Sequence, residues 1–470
     1  MKKNDLYNLI YRVRKNIKSP YLYANYFLDF NNTEKIYKKF FKEKITLYSY
    51  IKIIFLLFRN ILFYIVLFIY KSNYFKKDNN NFKIKNIVII GHRINDLKKN
   101  DFYFFKLIKY LKSNNIRYSL FQINHLNKKD KYDVINYYMD LKKEIILFFK
   151  LFKSLSRLNE EIGSVLRLKK HKLYFILVII LFHFSNLTAH NLRIPIQINS
   201  ILSNKMRNIN LFITFEGLHW ERVLFRKFSA NHKIATKKSK VYGLQHSYIS
   251  LNNKNFFDYS NQLFNPNFIL SSGSILQNKI KLNFLDCLNI GSLKMNTNIK
   301  YSRLNNPKNI IFLPSSNVIE FEHLLKTLLA IYKKYPDYNY IWRNHPFIGN
   351  KIKDIFSNYK NIIVSNNELN DDLKRSKLAF YTISSSIIPA VCFGVRPIYV
   401  KNNHFSIDPL ENIDNIWKLT SVNLPDINDI YNYEKNHSLL SLMKKTSKYY
   451  KKYFESFNPS IIKKIINENL

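Results

Sequence analysis

Residues 373–400 read LKRSKLAFYTISSSIIPAVCFGVRPIYV, and this stretch decides the fold class. The apolar run over 378–383 is typical of a buried strand, and the segment 387–393 after it predicts a helix that ends at Gly394. A second apolar run follows over 396–400. A strand, a helix and a strand in this order form a crossover unit, which predicts a parallel sheet covered by helices.

The same alternation continues upstream of this unit and divides the chain into two α/β halves. Apolar runs that predict further strands lie at 86–91, 116–123, 211–215, 240–246, 267–270 and 288–291 in the first half, and at 310–313, 338–342 and 361–364 in the second. Segments with helical periodicity separate these runs. We therefore expect two mostly parallel sheets in one chain.

The predicted organisation has four parts. Residues 1–85 form a helical, basic segment, 86–295 the first sheet domain, 305–425 the second, and 430–470 the C-terminal helices. The polar stretch 294–308 is expected to link the two sheet domains.

The composition excludes several kinds of site. The 470 residues include 75 Lys plus Arg and 32 Asp plus Glu, which gives a net charge of +43. Because the basic residues are spread along the chain, no nucleic-acid partner is expected, and a membrane surface or an anionic substrate suits the charge better. With only 8 Gly there is no Gly-rich phosphate loop, and 2 Cys exclude a disulfide framework. The sequence contains no H-E-x-x-H and no paired C-x-x-C motif, so a zinc site is not indicated.

The strongest membrane candidate is the apolar run at 53–70, which is about long enough to span a bilayer. Arg59 and Asn60 near its middle oppose a span, and lysines on both flanks give no orientation. Three alternatives stay open: a helix that lies in the membrane interface, a helix buried against the globular body, and a true span.

Polar residues at the carboxyl ends of strands are the candidate ligands, because open α/β sheets bind their ligands there. Ser384, Ser385 and Ser386 follow one strand and precede a helix, where hydroxyl and N–H groups bind phosphate; a plain helix cap is the alternative. Arg343 and His345 follow another strand. An arginine can pair with an anion and an imidazole can protonate a leaving phosphate, while a purely structural histidine is the alternative.

Two strand ends in the first half carry further candidates. Glu216 ends an apolar strand, so partial burial would raise its pKa toward that of a general base; capping the next helix is the alternative. Gln245 and His246 end the following strand and are candidates for binding a sugar, although a structural role for His246 is equally open. Arg222, six residues after Glu216, is also predicted to bind substrate.

These motifs resemble those of a known class of enzyme. The segments FLPSSN at 312–317, WRNHP at 342–346 and the stretch 373–400 resemble the nucleotide-sugar-binding domain of GT-B glycosyltransferases from bacterial surface-polysaccharide pathways. The His-Pro pair and the serine cluster are similar to the HP and S motifs of polysialyltransferases and Kdo transferases. The first half, with TFEGLHWER at 214–222 and YGLQHS at 242–247, is similar to surface-carbohydrate biosynthesis proteins.

The resemblance implies an α/β GT-B fold of two Rossmann-like parallel-sheet domains, with the helical basic segment as an N-terminal extension. It implies that His345 contacts the donor phosphates and helps the leaving group depart, that the serine cluster binds phosphate or ribose, and that Glu216 activates an acceptor hydroxyl. The polysialyltransferases carry an acidic pair before the glycine, and here Phe215 takes the first place of that pair.

The expected activity is therefore the transfer of a sialic acid-like or Kdo-like sugar from a nucleotide donor, CMP-linked donors included, to a capsule or lipopolysaccharide acceptor. No metal and no cofactor besides the donor is expected. Two alternatives remain: a CDP-glycerol-type glycerophosphotransferase, and a catalytically degenerate GT-B protein that binds glycan or partner enzymes. The expected location is cytoplasmic, peripheral to the inner membrane, because no signal-peptide pattern is found at the N-terminus.

Overall fold

The chain forms two parallel β-sheets with helices on their faces and a helical unit beside the first sheet. The computed structural model of the protein describes residues 3–29, 33–42, 45–72, 84–93, 103–124, 134–135, 139–166, 172–202, 208–232, 239–246, 248, 255–258, 261–282, 286–293, 309–315, 318–344, 352–401, 408–410, 417–420, 426–432 and 435–467. The expected linker at 294–308 lies outside these residues.

The helices are numbered in chain order. They are α1 (Lys3–Asn16), α2 (Pro20–Tyr23), α3 (Thr33–Phe40), α4 (Leu47–Ser72), α5 (Phe105–Ser113), α6 (Leu141–Ser154), α7 (Leu158–Leu166), α8 (Lys172–His183), α9 (Asn186–Leu202), α10 (His219–His232), α11 (Ser274–Lys281), α12 (Val318–Lys334), α13 (Ile352–Phe356), α14 (Leu369–Lys374), α15 (Ile387–Cys392), α16 (Ile427–Tyr431), α17 (His437–Tyr450) and α18 (Pro459–Asn467).

The first sheet has seven parallel strands in the order β3-β2-β1-β4-β5-β6-β7. They are β1 (Ile87–Arg93), β2 (Tyr118–Asn124), β3 (Val134–Ile135), β4 (Asn210–Thr214), β5 (Lys240–Leu244), β6 (Phe268–Ser271) and β7 (Cys287–Asn289). The order reverses between β1 and β4, which makes this the topological switch point where such sheets bind ligands.

The second sheet repeats the arrangement with six parallel strands in the order β10-β9-β8-β11-β12-β13. They are β8 (Asn309–Leu313), β9 (Asn339–Trp342), β10 (Ile362–Val364), β11 (Ser376–Tyr381), β12 (Arg396–Tyr399) and β13 (Leu419–Thr420). Its switch point lies between β8 and β11. The prediction of two Rossmann-like parallel-sheet domains is therefore confirmed.

Both faces of the first sheet are covered, as its continuous apolar strands require. Alternate residues of β1 face opposite sides, so Val88 and Ile90 pack in one core with α9 and α10, while Ile87 and Ile89 pack in another with α5 and α18. The C-terminal helices divide between the domains, because α17 packs against α15 of the second domain and α18 returns to the first.

The helical extension continues beyond residue 85. Residues of α1, α3 and α4 share one apolar core with residues of α6, α7 and α8. The N-terminal helices therefore do not form a core of their own, and the helices between β3 and α9 belong with them.

Candidate functional site

Glu216 and His246 meet at the carboxyl edge of the first sheet. Glu216 follows β4 and His246 follows the neighbouring strand β5. Glu216 Oε1 lies 3.1 Å from His246 Nε2, and the two side chains are 41% and 9% exposed. The imidazole is therefore enclosed and oriented by the carboxylate, whereas the carboxylate is accessible to solvent. The structure thus brings together two of the residues selected from the sequence.

A buried acid holds the turn that carries Glu216. Glu221, in the first turn of α10, accepts hydrogen bonds from the backbone N–H of Glu216 at 3.0 Å and of Leu218 at 2.8 Å. Burial and the nearby charge of Glu216 raise the pKa of Glu221 well above its usual value. Glu221 therefore caps the N-terminus of α10 by accepting hydrogen bonds from the N–H groups before it. The carboxylate of Glu216 pairs with His246.

Gly217 is required in this turn for two reasons. Its φ is +81°, a left-handed conformation that side chains disfavour, and a Cβ there would lie 2.5 Å from Phe256 Cα. The glycine of the FEG segment therefore lets the turn pack directly on the backbone of Phe256.

Arg222 is fully buried, and its predicted contact with substrate stays a prediction. Its guanidinium donates to Asn265 Oδ1 and to the backbone carbonyls of Asn255 and Phe256. Arg14 of α1 also donates to Asn255, through Nη1 to Oδ1 at 2.7 Å. The two arginines therefore fix the segment against which the Gly217 turn packs.

Gln245 is also enclosed, with 1% exposure. Its Oε1 accepts a hydrogen bond from Ser272 Oγ at 3.2 Å, which ties the end of β5 to the end of β6. The predicted contact of Gln245 with a sugar stays a prediction.

His92 and Thr214 were not selected from the sequence, yet they bridge the switch point. His92 is in β1 and Thr214 ends β4, and a hydrogen bond of 2.6 Å joins His92 Nε2 to Thr214 Oγ1. The ring of Tyr103 packs on both histidines, with centroids 5.5 Å from His92 and 4.1 Å from His246. The available signal was the position of His92, directly after Gly91 at the end of a predicted strand.

The serine cluster lies beside the switch point of the second sheet, between β11 and α15. Ser384 is 7% exposed, Ser385 is exposed and Ser386 is half-buried. The N–H groups in the first turn of α15 donate hydrogen bonds to backbone carbonyls of the serine cluster, and the side chain of the N-cap residue Ser386 makes no capping hydrogen bond. A plain cap therefore does not account for the row of hydroxyls, and phosphate binding stays a prediction.

The buried acid Glu320 lies at the same switch point and was not selected from the sequence. Glu320, in the first turn of α12, is 1% exposed, and Ser315 Oγ after β8 donates to its Oε2 at 2.8 Å. Burial raises the pKa of Glu320 above its usual value, although hydrogen bonds from Ser315 and Thr382 oppose this shift. The signal was an acid seven residues after the strand, within FLPSSNVIE.

Arg343 is held by an internal carboxylate. Its Nη1 donates to Asp372 Oδ2 and to the backbone oxygen of Asn367, each at 2.7 Å. Burial opposes the ionisation of Asp372, but hydrogen bonds from Ser365, Arg375 and Arg343 outweigh it and keep its pKa below the usual value. A phosphate contact of Arg343 stays a prediction, and His345 lies outside the described residues.

The carboxyl edges of the two sheets touch. Tyr248, two residues after His246, donates through its hydroxyl to the backbone oxygen of Asp408 at 3.4 Å. Asp408 Oδ1 in turn accepts a hydrogen bond of 2.9 Å from Tyr381, which ends β11 three residues before Ser384. Asp408 therefore links the segment after β5, which follows His246, to the end of β11, which precedes the serine cluster.

Within the described part of the chain, no group of three His, Cys, Asp or Glu side chains is arranged to hold a metal ion. No protein-family model matches the sequence, and no curated protein matches it either.

Several solved structures are similar to this chain. The wall teichoic acid polymerase TagF aligns with 88% of this chain and 98% of its own, at 12% identity and a TM-score of 0.41. The UDP-GlcNAc 2-epimerase from Neisseria meningitidis, bound to UDP-GlcNAc, aligns with 82% and 100%, at 12% identity and 0.43. The glycotransferase of kitacinnamycin aligns with 83% and 100%, at 9% identity and 0.43. Likeness at this level carries no functional weight, and the fold is defined by the two strand orders.

Proposed function

We propose that this protein is a glycosyltransferase of the GT-B class that moves a sugar from a nucleotide donor to a surface-glycan acceptor. The observation that supports this best is the contact between the carboxyl edges through Tyr248, Asp408 and Tyr381. We infer from this contact that the two edges face one cleft, with the acid–imidazole pair on one wall and the row of hydroxyls on the other. A transferase needs these two elements, a base for the acceptor and an anion site for the donor.

In the proposed reaction Glu216 is the general base. Its exposed carboxylate takes the proton of an acceptor hydroxyl while that oxygen forms a bond to the anomeric carbon of the donor sugar. The bond between this carbon and the donor phosphate breaks, and the nucleotide leaves with the electron pair. His246 is a positioning residue, because its enclosed imidazole fixes the carboxylate at 3.1 Å.

The donor is proposed to bind at the second sheet. Ser384, Ser385 and Ser386 would donate hydrogen bonds to phosphate or ribose, and His345 would assist the leaving phosphate, as the sequence resemblance implies. A CMP-linked sialic acid-like or Kdo-like sugar is the donor proposed on that resemblance, and a capsule or lipopolysaccharide glycan is the acceptor. The hydroxyl row would meet the donor charge without a bound metal.

A nucleotide screen tests this proposal. Thermal unfolding of the full chain is followed with CMP, CDP, UDP and GDP, with and without added EDTA, and stabilisation by one nucleotide that survives EDTA is expected. Stabilisation by none would indicate the degenerate binding protein. The product formed with the matching donor then separates the enzymes, because transfer of glycerol phosphate in place of a sugar would identify a glycerophosphotransferase.

A further inference from the structure

Helix α4 presents a wide apolar face to solvent. Its exposed residues between positions 47 and 66 comprise nine apolar or aromatic side chains, two basic ones and no acidic one. The most exposed of the nine are Leu47, Tyr48, Phe55, Phe58 and Leu62, at 64–77%. A contiguous apolar surface of this kind marks an interaction site rather than ordinary protein surface.

Helix α6 continues this surface. Its exposed apolar residues include Leu141, Ile145, Phe149 and Phe152, whose spacing places them on one face of the helix. The other exposed residues of α6 are Ile146 and the lysines Lys142, Lys150 and Lys153. We call the exposed residues of α4 and α6 the docking face.

The two helices are joined by a buried contact beneath the docking face. The ring of Tyr64 on α4 stacks on Phe148 of α6, with centroids 5.8 Å apart. Glu144 of α6, which lies behind this contact, pairs with Arg193 of α9 at 2.7 Å, and both side chains are at most 1% exposed. The acidic residue of α6 is therefore turned inward and neutralised, which leaves its exposed charges positive.

The inner side of α4 is fixed to the body of the protein. Ile53 and Tyr64 are each 1% exposed, and Asn60 Nδ2 donates to the backbone oxygen of Leu181 on α8 at 3.4 Å. Residues 47–66 are long and apolar enough to cross a membrane, with a mean hydropathy of 1.7, and Ile53 and Tyr64 are the two buried residues among them. A crossing helix would lose these inner contacts and would bring the exposed Arg59 toward the bilayer centre, which is unfavourable.

We propose that the docking face binds the surface of an anionic lipid bilayer, with α4 and α6 lying in the plane of the interface. Their aromatic and aliphatic side chains would enter the headgroup region, as those of interfacial amphipathic helices do. Lys52 and Arg59 on α4 and the lysines of α6 would extend to anionic headgroups along the edges. The combination of exposed aromatic residues with exclusively basic charge favours a lipid surface over a second protein.

This assignment goes beyond the proposed function and also bears on it. Helix α2 contacts both α6 and α10, and Tyr23 of α2 packs on His219, three residues after Glu216. A bilayer at the docking face would therefore lie beside the domain that carries the proposed base. The relation to Glu216 rests on the proposed function. The proposed lipid binding does not, because it is argued from α4 and α6 alone.

Flotation of the full chain with vesicles tests the assignment. Vesicles of phosphatidylcholine alone are compared with vesicles of equal parts phosphatidylcholine and phosphatidylglycerol. Wild-type protein is expected to float with the anionic vesicles, less with the neutral ones, and to be released by high salt. The variant Phe55→Glu/Phe149→Glu is expected to lower the partition coefficient by about ten-fold or more, because it puts charge at the centre of each helix face.

The matched control is Leu282→Glu/Ile363→Glu, which changes two apolar residues that are 78% and 60% exposed far from the docking face. It should bind vesicles as wild type does, and both variants should keep the wild-type circular dichroism spectrum and nucleotide response. Failure of wild type to bind either vesicle, or equal binding by the docking-face variant, would overturn the assignment. Vesicle-bound protein that resists a salt and alkaline wash would also overturn it, because such resistance indicates a membrane span. So would a wild-type dimer in light scattering that does not bind vesicles and that the docking-face variant converts to a monomer.

Discussion

Glu216 Oε1 lies 3.1 Å from His246 Nε2, and the two residues extend from adjacent parallel strands of the first sheet. The pair exists because the turn at Gly217 is packed on Phe256 and held by Glu221. The side chain of Glu216 is 41% exposed and that of His246 is 9% exposed, and the proposed roles of base and positioning residue rest on this difference.

Replacing Glu216 with Gln should stop transfer and leave donor binding intact. The amide cannot accept the acceptor proton, and the expected loss in kcat is about 10²- to 10⁴-fold, with an unchanged nucleotide-dependent thermal shift. Glu160→Gln on the exposed side of α7 is the control and should retain full activity. Transfer by the Glu216 variant at close to the wild-type rate would require another base.

The Gly217→Ala variant should be destabilised and less active. Alanine at a φ of +81° costs about 1–2 kcal/mol, and the contact with Phe256 adds to this because backbone has to move. Gly163→Ala in α7 is the control, since its new Cβ would meet only the side chain of Asn159. Denaturant unfolding measures both, and equal stabilities would contradict the described turn.

Arg222→Met should lower the stability of the fold without a specific effect on substrate affinity. The change leaves buried acceptors on Asn265, Asn255 and Phe256 unpaired, at about 1–3 kcal/mol for each. Arg226→Met, one turn further along α10, removes a partly exposed arginine and should have little effect. A variant of Arg222 with normal stability and a raised KM would restore the substrate-binding role that burial argues against.

Removing the serine hydroxyls should weaken nucleotide binding. The variant Ser384→Ala/Ser385→Ala/Ser386→Ala is expected to bind the nucleotide at least about ten-fold more weakly, because hydrogen bonds to a charged phosphate are lost. Its folding should be preserved, since backbone carbonyls rather than the Ser386 side chain serve the start of α15. Ser357→Ala, on the surface of the same domain, is the control, and calorimetric titration reports the affinities.

His183 should make the protein less stable in mild acid. It is fully buried, and burial lowers its pKa from 6.5 to about 4. The unfolded chain takes up this proton near pH 6.5 and the folded chain only near pH 4, so the stabilisation is present above pH 6.5. It is lost as the pH falls toward 4, by up to about 1.4 kcal/mol per pH unit. His183→Gln should flatten this slope in denaturant unfolding, and an unchanged slope would show that another group causes it.

The sheets could be predicted because parallel strands buried on both faces are short, continuous apolar runs. The strand predicted at 310–313 is observed at Asn309–Leu313, and the helix predicted at 387–393 is observed at Ile387–Cys392. The two-residue edge strands β3 and β13 carry no comparable pattern and were not predicted. The sharing of one core between α1 and α8 also has no local signal, because it depends on contacts far apart in sequence.

The site could be predicted in part, because strand ends can be read from sequence while burial at those ends cannot. The rule selected Glu216 and His246 separately, and the structure brings their side chains within 3.1 Å of each other. It also selected Arg222, which the structure encloses, since nothing in the local sequence reveals that residues 255–258 fold over it. It passed over Glu320, whose buried position depends on the packing of α12 on the second sheet.

Photoaffinity labelling tests the central claim, that base and donor share one cleft, most directly. A nucleotide sugar with a photoreactive group on the sugar is cross-linked to the full chain, and the labelled peptides are mapped by mass spectrometry. We expect the sugar probe to label peptides that contain Glu216 or His246, and a probe with the group on the nucleotide base to label the peptide around Ser384. Excess free nucleotide should prevent both. Competed labelling by the sugar probe at a site remote from Glu216 and His246 would contradict a shared cleft.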